Sequence, residues 1–302
     1  MTLRPPRDDD FDAMLALMNA SQRAAFGEAD VTADDLRTWL TTPYVVPERD
    51  IRLLEEDDGR LVGYADVDFA EATGRWWADV KVDPEADVDE VLPRLVEWLE
   101  QRADRGTLRV WAGAGDARMV EAFKRLAFEE HRHSYRMDIA LGGEPRKPSW
   151  PEGITVRDYR PEDERLVYDT SVEVWLDASD PIEDTFDEWR HWSTKRDNFD
   201  PTLWFLAFDG DDVAGFSLCR QDDTDPGAGY VGVLGVRRPW RRRGLGEALL
   251  LHSFAAFRER GYTRATLSVD ASSPTGATRL YERAGMTVYR DTVFLERPAV
   301  PV

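Results

Sequence analysis

One short segment constrains the fold of this chain more than any other. Five of the seven residues from Arg237 to Arg243 are arginine, and Gly244-Leu245-Gly246 follows at once. An apolar run over 231–236 precedes the arginines, and an amphipathic stretch over 247–260 follows the glycines. This order predicts a strand, a glycine loop and a helix, whose unpaired N–H groups and positive dipole end favour a bound anion. A pyrophosphate would fit there.

The rest of the chain has the opposite charge. The formal net charge is −20, with 59 acidic and 39 basic side chains, so we expect no nucleic-acid partner, because such binding needs distributed Lys and Arg. The only cysteine, Cys219, excludes an internal disulfide, and the four histidines show no ligand spacing with it, so no metal is expected. The sequence shows no signal peptide and no membrane-spanning run, which predicts a soluble cytoplasmic protein without a membrane partner.

An internal repeat indicates two domains. The Gly- and Pro-rich stretch 141–153 has no hydrophobic period and is interpreted as a linker between domains 1–140 and 154–302. The two halves show the same order of elements, which is typical of a duplication and is compatible with a monomer. The matching segments are 4–10 with 157–163, 51–64 with 203–216, 76–82 with 230–236, and 123–128 with 281–286. Each half is therefore predicted to be α/β with a mixed sheet.

A second helix near the C-terminus completes the pattern. Thr266 to Asp270 alternates as a strand, and Ser273-Pro274 predicts the N-cap and first residue of the next helix. That helix contains Tyr281 and ends at Gly285, a typical C-terminal residue.

These features together resemble a known family. Val236, Arg241-x-x-Gly244-x-Gly246, the helix that follows, the strand ending Val269-Asp270, and Leu280 to Met286 are similar to the GNAT family of CoA-dependent N-acetyltransferases. The tandem arrangement is similar to the group that includes mycothiol synthase. The resemblance implies an α/β fold of two tandem GNAT domains, each with a mixed, largely antiparallel sheet flanked by helices.

The resemblance also implies a cosubstrate, acetyl-CoA, and the residues that bind it. Loop N–H groups would hold its pyrophosphate, with glycines permitting close approach, and the strand before the loop would pair with the pantetheine and supply an oxyanion donor. The implied binding residues are Leu234, Gly235, Val236, Arg238, Arg241, Arg242, Arg243, Gly244, Leu245, Gly246 and Ser273. Ser273 stands where the family often has asparagine, so it either contacts the cofactor or only caps the helix.

Tyr281 occupies the position of the family's general acid. A phenol with an ordinary pKa near 10 is protonated at neutral pH and can donate a proton to the departing thiolate. The general base is not fixed by any motif, because Tyr230 stands where mycothiol synthases tend to carry glutamate. The acidic candidates near the expected amine site are Asp177, Asp180, Asp222 and Asp223. Each is alternatively a solvated loop residue, and an ordered water could relay the proton instead.

The N-terminal half has lost the anion motif. Its equivalent segment, 82–90, contains no Gly-x-Gly and no arginine. Asp87, Asp89 and Glu90 at the predicted helix start suit the helix dipole but would repel a pyrophosphate. We therefore expect a non-catalytic first domain and a catalytic second domain.

The function implied is acetyl transfer from acetyl-CoA to a primary amine of a small molecule by direct attack. Two alternatives stay open. The acceptor could be a cysteinyl amine, as in mycothiol synthase, or the chain could be a non-catalytic acyl-CoA-binding sensor.

Overall fold

A computed structural model describes residues 1–29, 31–41, 45–70, 74–143, 146–177, 185–196 and 199–299. The chain forms two units. Unit 1 comprises Met1–His133 and Arg290–Val302, and unit 2 comprises Ser134–Tyr289. Both are α/β, with a mixed and largely antiparallel sheet flanked by helices, as the sequence predicted.

Unit 1 begins with a short strand and a long helix. Its strands are β1 (Thr2–Arg4), β2 (Ile51–Glu55), β3 (Leu61–Ala70), β4 (Arg75–Val82) and β5 (Thr107–Gly113), and its helices are α1 (Phe11–Phe26), α2 (Ala33–Leu40), α3 (Pro47–Asp50), α4 (Val88–Arg102) and α5 (Ala117–Arg125). Successive strands are neighbours, and each pair is antiparallel except β4–β5, which is parallel. One core lies beneath α4 and α5, and another beneath α1 and α2.

Unit 2 repeats this order. The remaining strands are β6 (Glu129–Ala140), β7 (Ile154–Asp158), β8 (Trp204–Asp209), β9 (Asp212–Gln221), β10 (Ala228–Val236), β11 (Arg264–Asp270) and β12 (Thr287–Pro298), and the helices are α6 (Glu164–Trp175), α7 (Phe186–Trp192), α8 (Leu245–Glu259) and α9 (Ala277–Ala284). Strands β7 to β11 are neighbours in sequence order, and only β10–β11 is parallel. The predicted duplication is confirmed, since β7–β11 correspond to β1–β5 in order and direction.

The last strand of each sheet comes from the other half of the sequence. Residues Thr292 to Pro298 of β12 pair antiparallel with β5 in unit 1. Residues Ser134 to Ala140 of β6 pair antiparallel with β11 in unit 2. The unit boundaries therefore differ from the predicted domains 1–140 and 154–302. The stretch 141–153 marks a change in composition, but strand pairing decides which residues belong to each unit.

An arginine–aspartate pair fixes the start of the first helix in both units. Arg4 donates to both carboxylate oxygens of Asp10, at 2.6 and 2.8 Å, and Arg157 donates to both of Asp163, at 2.7 and 2.8 Å. These guanidinium groups hold the pKa of Asp10 and of Asp163 below its usual range. The bidentate geometry is the strong form of this interaction. It explains why this part of the repeat is visible in the sequence.

Helix α8 supplies much of the core of unit 2. Leu245, Leu249 and Phe257 are buried against the sheet, as the helical spacing predicts. The helix is followed by Gly261 in a left-handed conformation with φ +85°, the predicted end signal. Among the described residues, no helix is both long enough and apolar enough to cross a membrane.

Gly229 of β10 lies directly beneath this helix. A Cβ atom at this position would come within 2.4 Å of the ring of Phe257. Gly229→Ala should therefore lower the free energy of unfolding by about 1–3 kcal/mol, because the ring or the helix must shift. Gly142→Ala is the control, since a Cβ there meets nothing within 4 Å. Chemical denaturation of the two variants compares them, and equal stability would contradict this packing.

Candidate active site

Strand β10 separates from its parallel neighbour β11 partway along its length. The two strands pair as far as Val231 and Leu267, where the register ends. Relative to β9, a bulge leaves Gly232 as an extra residue between Val231 and Val233. Such bulges bend a strand and are common beside active sites. A cavity of about 460 Å³ opens here, lined by residues of both strands. Beyond Val231 this edge of β10 has no strand partner among the described residues, so it can offer backbone groups to a ligand.

The loop between β10 and α8 borders the same cavity. Arg242 and Gly244 have left-handed conformations, with φ of +60° and +85°. No described residue accepts a hydrogen bond from the backbone N–H of Gly244, Leu245 or Gly246. These are the donors that the first turn of a helix cannot satisfy, at the positive end of its dipole. The predicted order of strand, glycine loop and helix is confirmed.

The left-handed arginine in this loop is itself unusual. For a residue with a Cβ, such a conformation costs on the order of 1–3 kcal/mol, and such strain tends to be kept at ligand sites. Arg242 and its neighbour Arg243 are exposed, and neither forms an ion pair with any residue in the described part of the chain. Their positive charge is therefore available to an anionic ligand.

The other arginines of the cluster are held by acidic side chains. Arg237 donates to Oε2 of Glu173 at 2.8 Å and to the carbonyl oxygen of Val213 at 3.1 Å, which gives it a structural role. Arg238 and Arg241 both bind Asp177, with 2.6 Å between Nη2 of Arg241 and Oδ2 of the carboxylate.

Asp177 is therefore unsuited to act as a base. Hydrogen bonds from Arg238 and then Arg241 lower the pKa of Asp177 to about 2. A carboxylate with so low a pKa takes up a proton poorly at neutral pH. Asp177 instead joins the segment after α6 to the loop between β10 and α8.

Most of the residues implied by the resemblance border the cavity, and three do not. Those that line it are Leu234, Val236, Arg241, Arg242, Gly244, Leu245, Gly246, Ser273 and Tyr281. Gly235, Arg238 and Arg243 are not among the lining residues. Gly235 has a packing role, because a Cβ there would lie 2.7 Å from the ring of Phe216.

Tyr281 reaches the cavity from α9. Its side chain is 8% exposed and belongs to the core of unit 2, while its position borders the cavity. Burial, and secondarily the nearby Tyr230, raise the pKa of Tyr281 to about 12. The phenol is thus held in its protonated form, which is the form a general acid needs before it acts.

Ser273 does not cap the helix that contains Tyr281. Helix α9 begins at Ala277, and its N-cap is Gly276 with φ +72°. Ser273 lies in the preceding turn, where its Oγ is 2.9 Å from Oγ1 of Thr275. The prediction that Ser273 is the N-cap and Pro274 the first helical residue is wrong, because the turn Asp270–Gly276 separates them from the helix.

Asp222 is buried and fully engaged. It is 3% exposed and accepts hydrogen bonds from Thr266, from Arg136 at 2.6 Å and from the backbone and hydroxyl of Thr224. Burial would raise the pKa of Asp222, but the hydrogen bond from Thr266, the positive charge of Arg136 and the bonds from Thr224 outweigh it and lower the pKa. The interpretation of Asp222 as a solvated loop residue is therefore wrong, and its acceptor positions are occupied.

Asp223 and Tyr230 are also held by arginine side chains. Asp223 forms ion pairs with Arg220 at 2.8 Å and Arg196 at 3.1 Å. Asp180 lies outside the described residues. The ring of Tyr230 is contacted by the guanidinium groups of Arg220 and Arg136, with centroid distances of 4.3 and 5.1 Å. The described residues contain no group of three or more His, Cys, Asp or Glu that could hold a metal ion.

The cavity also has lining residues that the sequence reasoning missed. Arg279 and Arg283 border it from α9, and Trp175 borders it from α6. The two arginines are four residues apart on a predicted helix, so they share one face. The sequence alone shows this spacing, with one arginine two residues before Tyr281 and the other two residues after it.

The corresponding loop of unit 1 is organised in the opposite way. The Arg118 guanidinium donates to the backbone carbonyls of Val82, Asp83, Pro84 and Ala86, at 3.0–3.4 Å. The side chain of Asp87 caps α4 by accepting from the N–H of Asp89 at 2.9 Å. In unit 1 the N–H of Asp89 at the helix start is thus satisfied by Asp87, and the carbonyls of the preceding loop are bound by Arg118.

Comparison with known proteins finds acetyltransferases. The model of the "Acetyltransferase (GNAT) family" matches residues 164–286. A mycothiol acetyltransferase of Geodermatophilus obscurus is 31% identical over 289 residues, which cover 91% of this chain and 90% of that protein. One of Rhodococcus erythropolis is 31% identical over 244 residues, 77% and 79% of the two chains.

Solved structures agree in fold. The GCN5-related N-acetyltransferase from Sphaerobacter thermophilus is 31% identical, with a TM-score of 0.85 over 99% of this chain and 96% of that chain. A tandem GNAT protein from the clavulanic acid biosynthesis pathway is 16% identical, with a TM-score of 0.77 over 100% and 99% of the two chains, which shows the shared fold alone. Strand β10 separates from its neighbour and is followed by a glycine loop, and a relative is 31% identical over nine-tenths of its length. The chain therefore belongs to the GNAT family of acetyltransferases.

Proposed function

We propose that unit 2 transfers an acetyl group from acetyl-CoA to the primary amine of a small molecule by direct attack, and that unit 1 is non-catalytic. The observation that carries this proposal is the cavity beside β10 in unit 2. It joins the unsatisfied N–H groups at the start of α8, the free edge of β10 and the protonated phenol of Tyr281. These are an anion site, a strand edge and an acid within one cavity.

The residues present fit the cosubstrate. Gly244, Leu245 and Gly246 offer backbone donors to a pyrophosphate, and Arg241 and Arg242 add positive charge. The unpaired edge of β10 after Val231 can hydrogen-bond the amide groups of an extended pantetheine arm. The cavity volume of about 460 Å³ lies within the range of small-molecule sites.

The chemistry then divides between the cosubstrate and the chain. Acetyl-CoA supplies a thioester, whose carbonyl carbon an amine can attack without a covalent enzyme intermediate. An N–H of the free β10 edge stabilises the negative charge that develops on the carbonyl oxygen. Tyr281 donates a proton to the departing thiolate, and its buried phenol keeps that proton until the C–S bond breaks. We assign removal of the amine proton to water, because Asp177, Asp222 and Asp223 are each held by arginine.

In the described part of unit 1, the space that corresponds to this cavity is much smaller. A cavity of only about 20 Å³ lies between β4 and β5, lined by Lys81 and Trp111 among others. The Lys81 ammonium group lies 3.5 Å from the centre of the Trp111 ring and pairs with Asp79. Together with the carbonyls held by Arg118, this supports a unit that binds no acetyl-CoA.

A cysteinyl amine is the acceptor that the relatives favour. The two named relatives at 31% identity are called mycothiol acetyltransferases. We therefore place the cysteinyl amine of the mycothiol precursor first in a panel of primary amines offered with acetyl-CoA. That acceptor carries its own thiol, so acetylated product should be measured by mass spectrometry as well as by thiol release. Turnover of one or more amines supports the proposal, whereas tight CoA binding with no turnover of any amine supports the sensor alternative.

Asp177 should weaken the cofactor site, since it neutralises Arg238 and Arg241. Asp177→Asn removes a negative charge beside the loop and should tighten CoA binding several-fold, with a larger gain at low salt. The matched control is Asp169→Asn, an exposed aspartate on α6 that pairs with Arg165 at 2.9 Å. Calorimetric titration at two salt concentrations measures the effect. Weaker binding by the Asp177 variant would show that the carboxylate chiefly positions the arginines.

A further inference from the structure

Two cavity-lining arginines have no role in the mechanism above. Arg279 and Arg283 border the cavity from α9 and are exposed. Neither guanidinium group has a hydrogen-bond or ion-pair partner among the residues that the structure describes. Like charges four residues apart destabilise a helix. In a chain with 59 acidic and 39 basic side chains, two unpaired arginines on one helix face indicate an external anion.

Helix α9 places these arginines beside the start of α8. A Cβ at Gly246 would lie 3.1 Å from Cδ1 of Leu280, so the two helices are in close contact there. Arg146 links the same ends, donating to the carbonyl oxygen of Arg283 at 2.7 Å and to Oε1 of Glu247 at 2.6 Å. The α9 arginines therefore flank the anion site from a different element than the loop.

The helix also separates the two ends of the ligand. Tyr281 is two residues from Arg279 and from Arg283, a rotation of about 200° on a helix, so it points away from both. The phenol is buried and the arginines are exposed. The reacting thioester thus belongs at the buried end of the cavity, and the arginines belong at its solvent side, where the nucleotide end of the ligand remains.

We propose that Arg279 and Arg283 form a second anion subsite, which binds the phosphate monoester on the ribose of acetyl-CoA. This rests on the proposed function, because the pyrophosphate is assigned to the N–H groups of the loop. A phosphate monoester carries between one and two negative charges at neutral pH, and a guanidinium fork matches its oxygens. The subsite makes the enzyme selective for CoA over 3′-dephospho-CoA.

The test compares CoA and 3′-dephospho-CoA as ligands of the full chain by calorimetry. The wild-type chain should bind CoA at least about tenfold more tightly than 3′-dephospho-CoA. In the double variant Arg279→Gln/Arg283→Gln the ratio should fall to within about twofold, through loss of CoA affinity alone. The matched control is Arg94→Gln, which removes an exposed arginine from α4 and should leave the ratio unchanged.

The outcomes distinguish failure of the subsite from failure of the proposed function. Equal binding of both ligands by the wild-type chain, which needs no variant, would overturn the subsite. A double variant that keeps the tenfold preference, or that loses affinity for both ligands equally, would also overturn it. Failure of the wild-type chain to bind either ligand would instead overturn the proposed function.

Discussion

Replacement of Tyr281 by phenylalanine should lower kcat about a hundredfold or more and leave the affinity for acetyl-CoA within about twofold. The phenol is the proton donor assigned to the leaving thiolate, and phenylalanine keeps the ring that packs in the core of unit 2. Because the pKa of Tyr281 is raised to about 12, its proton is retained throughout the neutral and alkaline range. No alkaline decline of kcat should therefore arise from Tyr281 below pH of about 12.

Steady-state rates with the preferred amine and calorimetric binding of CoA separate the two effects. Tyr230→Phe is the matched control, since it removes the neighbouring phenol that stands outside the cavity lining. A Tyr281 variant that loses affinity with kcat unchanged would make the residue a packing element. Unchanged kcat and affinity would assign the proton to another donor.

Reversal of charge at Arg241 should have the largest effect on the cofactor. Arg241→Glu places a carboxylate beside Asp177 and next to the unsatisfied N–H groups of α8. It also removes the bond from Arg241 Nε to the carbonyl oxygen of Val236, which is 2.8 Å long. Repulsion between the new carboxylate and a pyrophosphate bound at this loop should weaken CoA binding by at least about a hundredfold.

The control replaces an arginine of unit 1 by glutamate. Arg94→Glu alters an exposed arginine of α4 and should leave CoA binding unaltered. Thermal melting of both variants is used to check that they are folded. A folded Arg241→Glu protein that binds CoA as tightly as the wild type would remove the loop from the proposed site.

The sequence predicted the duplicated fold because the local signals agreed. The bidentate pairs Arg4–Asp10 and Arg157–Asp163 recur at equal spacing, and the turns at Gly59 and Gly210 have the positive φ angles that Asp/Gly hairpins need. The sequence could not show the exchange of the last strands, since pairing of β6 and β12 depends on sheet edges far away in the chain. A linker rich in Gly and Pro shows where the hydrophobic periodicity breaks, but it does not show which sheet a neighbouring strand joins.

The parts of the site that depend on neighbouring residues in the sequence could be predicted. The N–H groups of the glycine loop depend only on the strand–loop–helix order, whereas the roles of the acidic residues depend on tertiary partners. Asp222 is adjacent to Asp223 in sequence, yet Asp222 is buried against Thr266 and Arg136 while Asp223 pairs with Arg220. The start of α9 was misplaced because Ser273-Pro274 fits both a helix cap and the turn that it forms.

The stoichiometry of CoA binding by the full chain tests the central claim most directly. Unit 2 has a cavity beside the start of α8, whose first N–H groups have no acceptor among the described residues. In unit 1, by contrast, Asp87 caps α4 and Arg118 binds the carbonyls of the preceding loop. Calorimetric titration should give one CoA per chain for the wild type and for Asp87→Ala, and no detectable binding for Arg241→Glu at the same concentrations. Two CoA molecules per chain, or one that persists in Arg241→Glu, would contradict a single cofactor site in unit 2.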